Sequence, residues 1–270
     1  MSETTTWAIV DTAAEPELIA MLDDLDPPHA SLYADPVPEE IGRLAPWLVG
    51  VDDAVQHWLM QRETPWGIFL ESQASLKDLR QHLRKYLHVQ IPNEEKPVFF
   101  RFYDPRNIWS FLSVLSPWEQ HSFLGPIDTI ATNWQGNLHR ENFAELKKKY
   151  PSGSASKRKM MRITQEQMDD LTVIFEQRYI DGLVEKIKTW TAPETAVDEK
   201  NIGEIFRWLK EQDITDDRSI RGLFYLFSQR SCLSINEIPL NFQQEISLKE
   251  ESGAYKAESI LLHELGTVPL

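Results

Sequence analysis

The residues of this chain best suited to chemistry lie in one short run, Phe100-Arg101-Phe102-Tyr103-Asp104-Pro105-Arg106. A guanidinium can grip a carboxylate or a chain terminus through two parallel hydrogen bonds, so Arg101 and Arg106 are candidates for holding an anionic group. Arg101 stands between aromatic neighbours, where a charge is costly unless paired. It therefore has either a structural partner, such as Asp11 or another acidic neighbour, or a ligand. Asp104 also has two readings. Its carboxylate can cap a helix, with Pro105 at the first helical position where a missing N–H costs nothing. Alternatively, it can work as a catalytic carboxylate together with Asp11.

Positioning these groups requires a strand and a helix. Val98, Phe100 and Phe102 alternate with Phe99, Arg101 and Tyr103, which predicts a strand with one core face and one face carrying a cation between two rings. Ile108, Phe111, Leu112 and Leu115 follow at helical spacing. If the strand is central in its sheet, its carboxyl end opens on the crevice where α/β proteins bind ligands. Upstream, residues 7–11 and 66–70 read as strands, and 16–24, 53–62 and 75–87 as helices. Asp26-Pro27-Pro28 stops the first helix, and Ser75 caps the last. Leu76, Leu79, Leu83, Tyr86 and Leu87 share one face of that last helix, and Lys77, Arg80, Arg84 and Lys85 the other.

The fold class expected is an α/β N-terminal lobe, a mixed sheet with flanking helices, followed by an all-helical C-terminal lobe. The lobes are read as residues 1–146 and 160–270. Between them 147–159, with small polar residues flanked by Lys147-Lys148-Lys149 and Lys157-Arg158-Lys159, reads as a mobile linker or long loop. In the second lobe Thr164 and Gln167 form a capping-box pattern. Met168, Leu171, Phe175, Leu183, Val184, Ile187 and Trp190 keep one apolar face. Asp198 and Asp216 start two further helices, and 254–265 is a last amphipathic stretch.

Composition narrows the function. The formal charge is -14, and residues 1–60 hold twelve Asp or Glu against Arg43 alone. Such a field repels nucleic-acid phosphate and favours basic protein surfaces. A single cysteine, Cys232, excludes an internal disulfide framework and, within an apolar run, reads as a buried small hydrophobe. No export signal and no long uncharged apolar run is present, which predicts a cytoplasmic protein. There is no P-loop, G-x-G-x-x-G, G-x-S-x-G or paired-cysteine metal site. His263-Glu264 lacks the second histidine of a zincin. The remaining histidines are scattered, and His57 and His82 read as surface or packing residues.

Four further segments extend the aromatic run into a recognisable order. They are Trp7-Ala8-Ile9-Val10-Asp11, Ala45-Pro46-Trp47-Leu48-Val49, Trp66-Gly67-Ile68-Phe69-Leu70 and Phe123-Leu124-Gly125-Pro126. From Trp7 to about Trp134 this order and spacing resembles the bacterial domain family of type VI secretion effector chaperones, also called adaptors. The resemblance implies a non-catalytic cytoplasmic protein that binds a secreted toxic effector and promotes its loading on the valine-glycine repeat (VgrG) spike. No cofactor, metal, nucleic acid or membrane is expected, and Arg101, Tyr103, Asp104 and Arg106 are the partner-binding candidates. Two other readings stay open. One is a hydrolase or transferase acting on an anionic substrate at the Arg101 to Arg106 crevice, and the other is an acidic immunity protein against a basic toxin.

Overall fold

The apolar run at 7–10 becomes the strand around which the first half is built, because both of its faces are covered. The computed structural model describes residues 4–33, 38–151 and 160–268. In chain order the first part contains β1 (Thr5–Asp11), α1 (Leu18–Leu25), β2 (His29–Ser31), α2 (Glu39–Gly42), β3 (Pro46–Gly50) and α3 (Asp53–Met60). Next come β4 (Gly67–Ser72), α4 (Leu76–Leu83), β5 (His88–Gln90), β6 (Val98–Phe99), α5 (Ile108–Val114) and α6 (Pro117–Leu124). A hairpin of β7 (Ile127–Trp134) and β8 (Asn137–Asn142) precedes α7 (Ala144–Lys148) and β9 (Met161–Arg162). The helical part holds α8 (Gln165–Trp190), α9 (Glu199–Glu211), α10 (Asp217–Gln229), α11 (Leu240–Ile246) and α12 (Gly253–Leu265).

Six strands form one antiparallel sheet in the order β2-β3-β1-β4-β7-β8. Mixed pairing is confined to a small sheet, β6-β5-β9, where β5 runs parallel to β9 and antiparallel to β6. Side chains alternate along β1, so Trp7 and Ile9 meet a core built with Leu79 and Leu83 of α4, Phe111 and Leu112 of α5, and Phe123 of α6. Ala8 and Val10 meet the opposite core, with Leu18, Met21 and Leu22 of α1 and Val55 and Leu59 of α3. The result is a layered lobe in which the central strand has no solvent face. The same alternation turns Asp11 toward the side of Trp7 and Ile9.

Local signals explain most of the element boundaries. Asp52, Ser75 and Ser116 accept from the backbone N–H groups of Val55, Asp78 and Glu119, capping α3, α4 and α6. Helix α4 is shorter than its apolar pattern suggested, because the chain tightens into a single 3-10 turn at Arg84–Tyr86. The β7–β8 hairpin was not read from the sequence. Its two-residue turn, Gln135-Gly136, has φ of 52° and 75°, the mirror-image turn that matches strand twist.

Two compact units divide the chain, one reaching to Leu171 and the other from Thr172 onward, so the boundary falls inside α8. Of the stretch read as a linker, 152–159 lies outside the described residues. Lys147 and Lys148 belong to α7, and Lys147 pairs with Asp128 at 2.8 Å. The second unit is helical, as expected from its pattern. Asp198 and Asp216 cap α9 and α10, and Ile202, Leu209, Leu223 and Phe227 lie in its core. Lys256 of α12 is buried there, its ammonium donating to the carbonyls of Gln212 at 2.5 Å and Leu248 at 3.3 Å. Among the described residues no helix is long and apolar enough to cross a membrane.

His82 of α4 donates from Nε2 to the carbonyl of Phe123 at 2.7 Å and packs where a Cβ on Gly125 would sit. Gly125 has φ 48° and ψ -112°, a conformation that side chains resist. Burial pushes the His82 pKa down to about 4, against the Phe123 carbonyl, which raises it. The unfolded chain therefore binds the extra proton first, and stability falls as pH drops from about 6.5 toward 4. Denaturation at pH 8 and pH 5 should show wild type losing about 2 kcal/mol more than His82→Gln. Equal losses would mean that the ring is protonated without cost in the fold. Lys256→Met should cost about 1–3 kcal/mol by chemical denaturation, because two carbonyls lose their donor.

Candidate functional site

The end of β1 delivers Asp11 into the protein, and the surrounding turns satisfy it. The Asp11 backbone N–H donates to Trp66 O at 2.7 Å, and its Oδ1 accepts from the backbone of Ala13 at 3.0 Å. Its Oδ2 lies 3.3 Å from Nη1 of Arg101, and its side chain is 6% exposed against 52% for Arg101. Burial pushes the Asp11 carboxyl above its ordinary range, while the Ala13 N–H and the Arg101 guanidinium pull it back. Of the two readings of Arg101, the pairing with Asp11 is present, and half of the guanidinium side chain still faces solvent.

The strand predicted through Tyr103 ends at Phe99, and it lies at an edge of the small sheet rather than at the centre of a large one. Phe100 adds one more hydrogen bond, to Leu87 O at 2.8 Å, and then the chain turns, with Asp104 N donating to Arg101 O at 3.1 Å. The turn replaces alternation with two consecutive inward rings: Phe102 packs on Phe100 and Phe123, and Tyr103 is 1% exposed. No crevice at a central strand end is formed by this segment. Tyr103 stands behind the site, its phenol pushed upward by burial and by the nearby charge of Asp11.

Asp104 does not cap α5 through its side chain. The N-cap position belongs to Asn107, which makes no capping side-chain bond. Instead the Asp104 carboxylate heads the preceding turn. It accepts from the Arg106 backbone at 2.9 Å and holds the Arg106 guanidinium from Nε at 2.9 Å and Nη2 at 2.7 Å. Its own carbonyl accepts from the backbone N–H groups of Asn107 and Ile108. The sequence pattern Asp-Pro marks this turn, one step earlier than a helix cap.

Two contributors went unread. Tyr33 lies close enough to Asp11 and Arg101 to feel both charges, and its phenol is pushed up chiefly by burial. Arg80, read as part of a polar helix face, donates to the carbonyls of Ser31 at 2.6 Å and Tyr33 at 2.9 Å and so tethers the segment carrying Tyr33. No spacing in the sequence joins residues so far apart. Phe99, half exposed, meets Tyr33 and His88 edge-on and adds an apolar flank.

The arrangement can hold an anionic or carbonyl-bearing group beside a small apolar patch. Among the described residues no group of three His, Cys, Asp or Glu side chains could hold a metal ion. His57 is bonded to Gln61, His139 stacks on Trp109, and His263 meets Glu264. Cys232 is buried, with its thiol pushed up by desolvation.

The family model of a domain of unknown function (DUF4123) matches residues 6–122. That family is linked with type VI secretion effector adaptors. The matched span runs from β1 into α6 and contains every residue of the Asp11–Arg106 site, while β7, β8 and the helical unit lie beyond it. No curated protein and no solved structure matches the chain.

A double-mutant cycle checks whether the ion pair is structural. Arg101→Ala and Asp11→Asn should couple by about 0.5–1.5 kcal/mol in urea denaturation, near the surface-pair range because Arg101 is half exposed. A coupling indistinguishable from zero would show that the Ala13 N–H and solvent satisfy Asp11 without Arg101.

Proposed function

We propose that this protein is a non-catalytic cytoplasmic adaptor that binds a type VI secretion effector and promotes its loading on the VgrG spike. The observation that carries the reading is the match of residues 6–122 to a family linked with such adaptors. The site's physical character supports it. Arg101 and Arg106 are each anchored by a carboxylate with about half of the side chain in solvent, and Arg101 retains donors for an incoming chain. Arginines flanked by an exposed ring are common anchors of protein interfaces. The acidic first quarter favours an effector with a basic surface.

A second reading, a hydrolase or transferase acting on an anionic substrate, draws on one observation, the raised carboxyl of Asp11 beside two tyrosines and a cation. The two readings separate on Asp104→Asn. This variant keeps an acceptor for the Arg106 backbone, so an adaptor continues to capture its effector, whereas an enzyme using that carboxylate as a base loses its activity.

Co-expression with the effector encoded beside this chain should raise the effector's soluble yield and give a co-purifying complex. Arg101→Glu should weaken capture by roughly tenfold, as expected for a charge at an interface rim, with Arg101→Gln as the control that avoids repelling Asp11. Unchanged effector yield with no complex in the wild type would overturn the adaptor reading. Unchanged capture by a folded Arg101→Glu would remove Arg101 from the interface.

A further inference from the structure

The fold does not use up the donors of Arg101. One nitrogen, Nη1, lies 3.3 Å from Oδ2 of Asp11, and the guanidinium has no other partner among the described residues. Arg106 differs, because Asp104 holds its Nε and Nη2. Within the Asp11–Arg101 pair the carboxylate is buried and the cation is 52% exposed, so an incoming group meets positive charge here although the chain as a whole is acidic.

Two phenols stand within the field of this pair with unused hydroxyls. Tyr33 is half-buried and feels the charges of both Asp11 and Arg101. Tyr103 is 1% exposed and feels the same two charges. Neither hydroxyl has a hydrogen-bond partner among the described residues, although buried polar groups as a rule have one. The Tyr33 ring meets Phe99 edge-on at 5.9 Å, and the half-exposed Phe99 ring meets His88 at 5.6 Å. A guanidinium, two phenols and an aromatic flank thus gather beside the end of β1 from separate segments of the chain.

These groups select a ligand by their chemistry. The unused groups are donors, so the ligand must accept, and a guanidinium takes a carboxylate through two parallel bonds that phenols can supplement. A phosphate dianion would bring two charges to a cluster whose charges already cancel in pairs, Arg101 with Asp11 and Arg106 with Asp104, whereas a carboxylate brings one. A basic side chain would have to displace Arg101 from the buried Asp11. We infer that Arg101, with the hydroxyls of Tyr33 and Tyr103, binds a carboxylate of a partner polypeptide whose adjoining apolar side chain lies on Phe99. A chain terminus and an Asp or Glu side chain present the same planar anion, and the test separates them. Naming the carried effector as that partner rests on the adaptor reading; the carboxylate chemistry rests on the site alone.

The test titrates the isotope-labelled full chain with three N-acetylated tetrapeptides, following the Arg101 Nε–H and the neighbouring backbone signals by NMR. One peptide ends in Phe with a free carboxylate, the second is its C-terminal amide, and the third is an amide with Glu beside Phe. At least one carboxylate peptide should bind about tenfold or more tightly than the plain amide, and whichever does so names the source. Arg101→Gln should bring that peptide to the level of the amide. Tyr33→Phe should weaken it severalfold while leaving the plain amide unchanged, a split that a purely structural hydroxyl would not give. Asp11→Asn, which lifts the repulsion between two carboxylates, should strengthen it severalfold. Thermal melting checks that each variant is folded, and if Arg101→Gln is not, Tyr33→Phe and Asp11→Asn decide. No binding, equal binding of all three peptides, unchanged binding to folded Arg101→Gln or Tyr33→Phe, or weaker binding to folded Asp11→Asn would overturn the inference. Because no peptide comes from an effector, carboxylate recognition can fail while an effector still co-purifies, and effector capture can fail while the peptides bind.

Discussion

A carboxylate carried on a strand with no solvent face has to be met by donors where the strand ends, and much of the first unit's arrangement follows from how Asp11 is met. Strand β1 is covered on both faces, so its apolar residues need no polar partner, but Asp11 at its exit does. The Ala13 N–H supplies one bond from the local turn, and Arg101 supplies the charge from a segment remote in sequence. Holding Arg101 at that place fixes the path after β6, which turns Phe102 and Tyr103 into the core and leaves Asp104 and Arg106 to close the next turn. The surface proposed for partner binding is thus a by-product of burying one acid.

Tyr33 completes this arrangement from a third segment, and its placement shows how the second layer of a site is assembled. The backbone carbonyls of Ser31 and Tyr33 are held by Arg80 of α4, a helix whose other face packs under the sheet through Leu79 and Leu83. Packing of α4 therefore sets the position of Arg80, and Arg80 sets the segment beside Asp11. Remote apolar contacts and local charges act in series here, so the cost of disturbing either is not local.

Much of the fold was legible because it rests on local rules. The apolar run at 7–10, the Ser75 cap and the Asp198 and Asp216 caps each act within a few residues, and the corresponding elements formed. The failures share a different cause. Alternation in 98–103 was read as a strand, yet aromatic residues in a turn can all point inward when a core is waiting, so period-two hydrophobicity did not distinguish the cases. Phe175 fits the apolar stripe of α8 but lies over open space, because a stripe says which residues share a face and not whether another element covers it. The pairing of Arg101 with Asp11 was visible only as one option among several, since long-range partners leave no trace in spacing.

Arginine at position 101 suits the proposed double duty, to the fold and to a partner, better than lysine would. A guanidinium has five donors spread over a planar fork, and the contact to Asp11 engages one nitrogen at 3.3 Å. The remaining donors point from a half-exposed side chain and can meet a carbonyl or carboxylate without releasing Asp11. A lysine ammonium concentrates its charge on one atom, so a second anion would compete with the buried carboxylate for it. Arg106 uses the same planar fork, its Nε and Nη2 both held by Asp104. Two anchored guanidinium groups with fixed orientation lose little freedom on meeting an anion, and in the proposed adaptor this preorganisation would raise affinity for the incoming chain.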